Sequence, residues 1–485
     1  MPAFFKNISF LVLLLLSFVS VAQKKDWTKD KLSADEYRSD LMLLWEVMNE
    51  SHPGLYRYTD SIHFQEKFEL SKQISDSIPM HAAFYEFASF IQVARDGHTY
   101  IVPNDKQDNE LISRKRFLPF TFKIIEDEVF IDQNFSTSSL KKGDKVNAID
   151  GKPIMNLLIT LRKYMTTDGF SVSAKNDLLE GQFWWYYGLH FGFKQDHHLV
   201  FINEQGQRMA EKVKAISYSD RQLMLHSWMA NTSDSAVEFS VMDGVAYLKV
   251  SRFHGEAKQK YLKSLKLAFS TFRDAGCSHL VLDVRGNGGG REGFENALLS
   301  YLDHDLDQKY DEVCMKNISS SHYKYLDHSF QSRIEDCIYR FFEFTKNGDK
   351  WERRERFSSS WLMPDEAFSG TTYVLIDGEV FSSAADFAAM VSDYGNSCVL
   401  IGEETAGGYQ GNTSGYFYTL RLPNSGFKVE IPRIDFNLKV RNHMHQGGVQ
   451  PDIQVPDHLG TFIEGGDYQL QFVLDLIKKG IAVSN

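Results

Sequence analysis

The stretch His279-Leu-Val-Leu-Asp-Val-Arg-Gly-Asn-Gly-Gly-Gly290 decides how the rest of the chain is read. Its first half is the apolar run of a buried strand, and its second half is a glycine-rich turn. Glycines directly after a buried strand let the backbone come close to a bound group. Such a turn presents successive N–H groups to an anion, either a phosphate or a tetrahedral oxyanion. A phosphate loop would end in Gly-Lys-Ser/Thr, whereas Gly290 is followed by Arg291-Glu292, and the dinucleotide fingerprint GxGxxG is not met in strict form. The oxyanion reading is the stronger functional one, set against a glycine-rich turn with no chemistry.

Working outward, strands alternate with helices. Residues 244–250 read as a strand, 260–273 as an amphipathic helix, 372–377 as a strand, 382–392 as a helix and 397–402 as a strand. That order predicts a mainly parallel sheet with its chemistry at the strand C-termini. Residues 303–365 interrupt it as a polar, aromatic, mostly helical insertion. Earlier in the chain, Leu41, Leu44, Trp45 and Met48 recur at helical spacing, as do Phe84, Phe87, Ala88 and Ile91. This helical stretch closes on Arg95-Asp-Gly-His-Thr99, where glycine breaks the helix. From Phe117 the pattern turns strand-like, over 120–125, 128–132 and 140–154, and Asp150-Gly151 makes a tight hairpin-type turn. This region resembles the carboxylate-binding half of a PDZ domain. The expected fold is multidomain α/β: a helical domain over 23–112, a PDZ-like β domain over 113–205, and an α/β domain over 206–485 with a mainly parallel sheet.

Bulk properties agree with a globular protein. The 485 residues are too many for one core; 43% are hydrophobic, 24% charged and only 11 are Pro, which excludes a mainly disordered or fibrous chain. A formal net charge of −11 argues against nucleic acid as a partner. The 14% aromatic content is accounted for by core packing. Lys6, the apolar run 8–18 and Ser20-Val21-Ala22 read as a secretory signal peptide over residues 1–22. The run is shorter than the roughly 20 residues a membrane span needs. The mature chain is therefore expected to begin near Gln23, periplasmic or secreted, with no transmembrane segment after cleavage. Export permits disulfides. Cys277 and Cys398 border apolar runs and read as buried thiols. For Cys314 and Cys337 a bridge and two free thiols both stay open, and no spacing resembles a zinc site.

Two further segments carry candidate chemistry. In Phe381-Ser-Ser-Ala-Ala-Asp-Phe387 a serine opens a helix after a strand and a short turn. Its plain role is N-capping; its functional one is a nucleophile whose neighbouring N–H groups hold an oxyanion. The other is His98, in the turn after the helical stretch, a position where a lone histidine is ordinarily structural or exposed.

Together the segments resemble the C-terminal-processing (tail-specific) protease family and its relatives, the tricorn core protease and the retinoid-binding protein repeats. The resemblance rests on Asp283-Val-Arg-Gly-Asn-Gly-Gly-Gly290, the serine-led helix, Gly402-Glu-Glu-Thr-Ala-Gly-Gly408 and Gly448-Val-Gln-Pro-Asp452, with Leu422-Pro-Asn-Ser-Gly426 between. It is close over about 235–460 and looser over 40–100, through His52-Pro-Gly-Leu-Tyr56 and Asp96-Gly-His-Thr99. It implies a ClpP/crotonase-like α/β catalytic domain, a serine-type peptidase activity, and a peptide or protein substrate bound in part by its C-terminus.

One branch of the family uses a Ser–Lys pair, its lysine in a Gly-Lys-Gly. Here Thr405-Ala-Gly-Gly-Tyr-Gln-Gly411 contains no lysine. The tricorn-like branch uses a histidine in a turn matched by Asp96-Gly97-His98-Thr99. The resemblance thus implies Ser382 as nucleophile and His98 as base, with an apparent pKa in the range of about 6–8. Oxyanion donors would come from Gly288, Gly289 and Ser383. Ser383 is the alternative nucleophile, if a one-residue gap in the helix is allowed, and Asp386 then replaces the family's glutamate; without the gap that position is Ala385. His445 stands where the tricorn-like branch has its orienting glutamate, which leaves Glu403 as a candidate substitute. No cofactor and no metal are expected; the pair His443 and His445 lacks a further clustered acid. The second reading is a catalytically inactive peptide- or ligand-binding protein on the same fold.

Overall fold

The computed structural model describes Trp27 and residues 30–229, 235–354, 364–443 and 445–480. The expected signal peptide lies outside these. At the centre is a six-stranded sheet in the order Val237–Met242, Val245–Val250, His279–Asp283, Thr371–Ile376, Cys398–Gly402, Ile453–Gln454. The first two strands form an antiparallel hairpin; every later pairing is parallel. Side chains alternate faces with period two. Leu280, Leu282, Val374, Ile376 and Leu400 pack against the helices Lys258–Asp274 and Ser383–Tyr394, whereas Val281, Tyr373, Leu375, Val399 and Ile401 meet Val473 of the helix Tyr468–Lys478. Both faces are covered, so the strands read as unbroken apolar runs.

A second sheet, antiparallel, is built on the long hairpin Gly411–Arg421 and Lys428–Leu438. Tyr310–Met315 pairs with its second strand, and Lys350–Arg353 and Phe344–Asn347 continue the sheet outward. The segment 303–365 is therefore not mostly helical. It holds these three strands as well as the helix Ser329–Ile338, and residues 355–363 lie outside the described ones. The outer strands are half-exposed and charged, so they lack the apolar alternation that marks a strand; the Gly348-Asp349 turn between them was the local signal.

The N-terminal helices Ala34–Ser51, Ser61–Ser71 and Met80–Ile91 share one buried cluster with the strands Phe120–Ile125, Glu128–Asn134, Lys145–Ile149 and Asp196–Ile202. Leu420, Leu422, Phe427, Val429 and Ile431 of the long hairpin belong to the same cluster. Asp150 and Gly151 both take positive φ, 52° and 76°, the geometry of a two-residue hairpin turn. Val172–Phe191, inside the expected PDZ-like β domain over 113–205, is a 20-residue helix. It packs on the strand Phe120–Ile125 and on the helix Met80–Ile91. Apolar residues therefore lie on several of its sides, and no single stripe betrays it. Among the described residues no helix is long and apolar enough to cross a membrane. None of the four cysteines, all among the described residues, is in a disulfide; Cys314 and Cys398 are buried, Cys277 is half-buried and Cys337 is exposed.

Candidate active site

The strand Thr371–Ile376 ends in an Asp377-Gly378 turn that delivers Ser382 to the N-terminus of the buried helix Ser383–Tyr394. Ser382 has φ 54° and ψ −131°, a left-handed backbone that costs a non-glycine residue about 1–3 kcal/mol. The surroundings hold it there. Phe381 N–H donates to the Asn287 carbonyl at 3.1 Å, and Ala406 and Gly407 N–H both donate to the Val380 carbonyl. A Cβ on Gly407 would stand 3.0 Å from Ser382 N, and one on Gly289 2.8 Å from Ser382 Cβ. Ser382 occupies the N-cap position, yet its hydroxyl makes no capping hydrogen bond. The plain capping role is thus not the one it plays. Ser383 is buried, and its hydroxyl has no hydrogen-bond partner.

The glycine turn differs from expectation at both glycines expected to hold the oxyanion. Gly289 N–H donates to Asn287 Oδ1 at 2.9 Å and is already used, while Gly288 is exposed and does not line the cavity beside Ser382. That cavity, of about 250 Å³, is lined by Ser382, Ser383, Gly290, His98, Tyr310 and Phe417 among others. Among the described residues the N–H groups of Gly290 and Ser383 donate no hydrogen bond.

His98 reaches the cavity through strand pairing. After the helix Met80–Ile91 and the turn at 95–99, Tyr100–Val102 pairs with Lys428–Glu430 of the long hairpin. The imidazole stacks on Phe381, with ring centroids 4.4 Å apart. A Cβ on Gly97 would lie 2.5 Å from the Phe381 ring, which makes glycine the residue that fits there. Burial pushes His98 down to about 4, against the pull of Asp96, so the ring is neutral at neutral pH. Its Nδ1 is buried without a hydrogen-bond partner, and no hydrogen bond joins it to Ser382.

Two carboxylates lie against this turn, and sequence reasoning singled out neither. Asp96 is buried; Oδ1 accepts His98 N–H at 2.9 Å and the Thr99 hydroxyl at 3.2 Å, and Oδ2 accepts the Thr413 hydroxyl. His52 Nε2 lies 2.8 Å from Thr99 Oγ1 and 3.4 Å from Asp96 Oδ2. Burial alone would raise Asp96, but His52, His98 and Thr413 hold it below the usual carboxylate range. Asp168 is buried too, and burial reinforced by Asp96 pushes it up to about 7. Asp96, His98 and Asp168 offer donor atoms within 4.8 Å of one another, a spacing open to a metal ion, but all four carboxylate oxygens already accept hydrogen bonds.

Glu403 is not beside His98. It lines a separate cavity with Lys123, Asp377, Glu379 and Asp457, where burial, with Asp457 adding to it, pushes it up to about 7. The cause is local: Glu403 continues the parallel strand Cys398–Gly402 through its N–H bond to Ile376 and leaves the sheet there. Its neighbour Glu404 accepts Gly448 N–H at 2.9 Å. His445 Nε2 lies 2.7 Å from the Gly448 carbonyl, which makes it a staple of that loop. Asp386 is buried and bonded to Asn412 Nδ2 at 2.9 Å and Lys309 Nζ at 3.2 Å. Lys309 also pairs with Glu295 at 2.9 Å and stays charged, so it is unsuited to act as a base.

Residues 244–455 match the model of Peptidase family S41. No curated protein matches the chain. Among solved structures, a serine-to-alanine mutant of CPAF aligns with a TM-score of 0.64 at 14% identity, covering 93% of this chain and 99% of that one. Mature CPAF complexed with lactacystin aligns with a TM-score of 0.62 at 16% identity, covering 92% and 98%. At such identities the likeness is one of fold.

Proposed function

We propose that the chain, whose residues 244–455 match the model of Peptidase family S41, is an exported serine-type endopeptidase of that family in which Ser382 attacks and His98 is the base. The observation that carries this reading is the Ser382 hydroxyl: unspent, on a left-handed backbone, on the wall of a cavity it shares with the His98 ring. As Ser382 Oγ bonds to the peptide carbonyl carbon, its proton passes to His98. The carbonyl oxygen, now negative, is held by the N–H groups of Ser383 and Gly290. His98 returns the proton to the leaving amine, and a water releases the acyl group from Ser382 by the same path. The two side chains rotate toward each other in the cavity to close their hydrogen bond, as catalytic contacts commonly do when substrate arrives.

Residues 113–205 act in this reading as a PDZ-like module that docks the substrate as an added strand and captures its C-terminal carboxylate. They stand between the helical domain over 23–112 and the catalytic domain over 206–485. The insertion 303–365 contributes Tyr310 to the cavity wall and serves as a specificity wall. For export, the mature chain is expected to begin at or near Gln23 by mass spectrometry; an intact Met1 in mature protein overturns it.

The lack of a Ser382–His98 hydrogen bond favours a second reading, a non-catalytic peptide- or ligand-binding protein. A fluorophosphonate probe separates the two. Labelling of the tryptic peptide that holds Ser382 supports the peptidase. A folded protein that binds peptides yet takes no label supports the binding protein.

A further inference from the structure

We infer that Asp168 is a positioning residue for the Ser382–His98 pair, its carboxylate fastening the turn that carries His98 to the loop that braces Ser382. The inference rests on the Ser–His reading above. Asp168 lies between the short helical turn Arg162–Tyr164 and the helix Val172–Phe191, on neither of the two segments that hold the pair. Its Oδ1 accepts Gly97 N–H at 2.8 Å, one residue before His98. Its Oδ2 accepts Gly408 N–H at 3.0 Å, one residue after Gly407, where an added Cβ would stand 3.0 Å from Ser382 N.

The backbone repeats the same stitch. Asp168 N–H donates to the Ala406 carbonyl at 2.9 Å, and Gly169 N–H donates to the Arg95 carbonyl at 3.0 Å. Four hydrogen bonds from two adjacent residues thus join the His98 turn to the loop whose Ala406 and Gly407 N–H groups hold the Val380 carbonyl, two residues before Ser382. Asp168 is 1% exposed, so no water competes for either oxygen. The hydrogen bonds of Asp96 run instead to its own turn and to Thr413 of the long hairpin. Asp168 is what connects the His98 turn to the 406–408 loop, and the distance between base and nucleophile depends on that connection. A displacement on the order of 1 Å between reacting groups costs about 100-fold in rate.

The test is Asp168→Asn in the full mature chain. The amide oxygen can still accept one N–H, but its NH₂ then faces the other N–H, donor against donor. The expected result is a kcat lower by roughly 100-fold with KM for a peptide substrate unchanged, and an equal slowing of fluorophosphonate labelling at Ser382. Adding Asp168→Asn to His98→Ala should slow the residual labelling no further, because a positioning residue acts only through the base it positions. Unchanged kcat, a change confined to KM, or additive effects in the double variant overturns the inference. If Asp168→Asn does not fold, Asp168→Glu, which keeps the carboxyl group but moves it by one methylene, is read the same way; a kcat within twofold of the wild type overturns the inference. An inactive His98→Ala beside a fully active Asp168→Asn removes this inference alone. A fully active His98→Ala removes the Ser–His reading with it.

Discussion

Ser382→Ala is expected to abolish peptide hydrolysis, with a loss on the order of 10⁴- to 10⁶-fold, because no other group can form the acyl bond. The fold should survive. The hydroxyl makes no capping bond, so its removal leaves no buried group unpaired, and Ala384 and Asp386 N–H still reach the Phe381 and Ser382 carbonyls. Ser383→Ala should keep most activity. What Ser383 offers the oxyanion is its backbone N–H, which the substitution retains, and its own hydroxyl is buried without a partner. Removing that hydroxyl takes away an unsatisfied buried group and is not expected to lower stability. Steady-state hydrolysis of a peptide and a thermal melt on each variant check both points. The opposite ranking of the two serines transfers the nucleophile to Ser383, and activity in both removes the serine mechanism.

His98→Ala should lose activity nearly as completely, and the double variant with Ser382→Ala should be little worse than either alone, as befits two residues that act as one unit. The pH dependence differs from that of a free imidazole. A ring titrating near neutrality would give an acid limb between about 6 and 8, but burial moves His98 down to about 4. The limb that belongs to this histidine should therefore appear well below neutral pH. The same shift bears on stability. The unfolded chain protonates this ring near its ordinary value of 6.5, the folded one only near 4. Between those values the unfolded state binds more protons. The contribution is complete above about 6.5 and is lost as pH falls to 4. A kcat/KM profile in a set of overlapping buffers measures the limb. Near-full activity of folded His98→Ala reopens the search for the base, with His52, 2.8 Å from Thr99 Oγ1, the next to replace.

By itself the sequence determined the elements whose chemistry is local. The apolar run before Arg285, the glycines after it, and the serine that opens a helix are neighbours along the chain. Their order sufficed to specify a parallel sheet with a glycine turn and a helix N-terminus at its C-terminal edge. Tertiary structure decided what depends on the direction of a side chain or on pairing between distant strands. His98 arrives at the cavity because Tyr100–Val102 joins the long hairpin, a contact that no pattern around His98 encodes. Glu403 follows a strand directly, where a single residue selects the side faced, and it faces the other cavity. Gly288 and Gly289 look alike in sequence to Gly290, yet the Asn287 side chain takes the N–H of Gly289 and the bend of the turn leaves Gly290 on the cavity wall. Asp168 stands in no motif, and its role exists only once the Gly97 and Gly408 N–H groups converge on it from opposite ends of the chain.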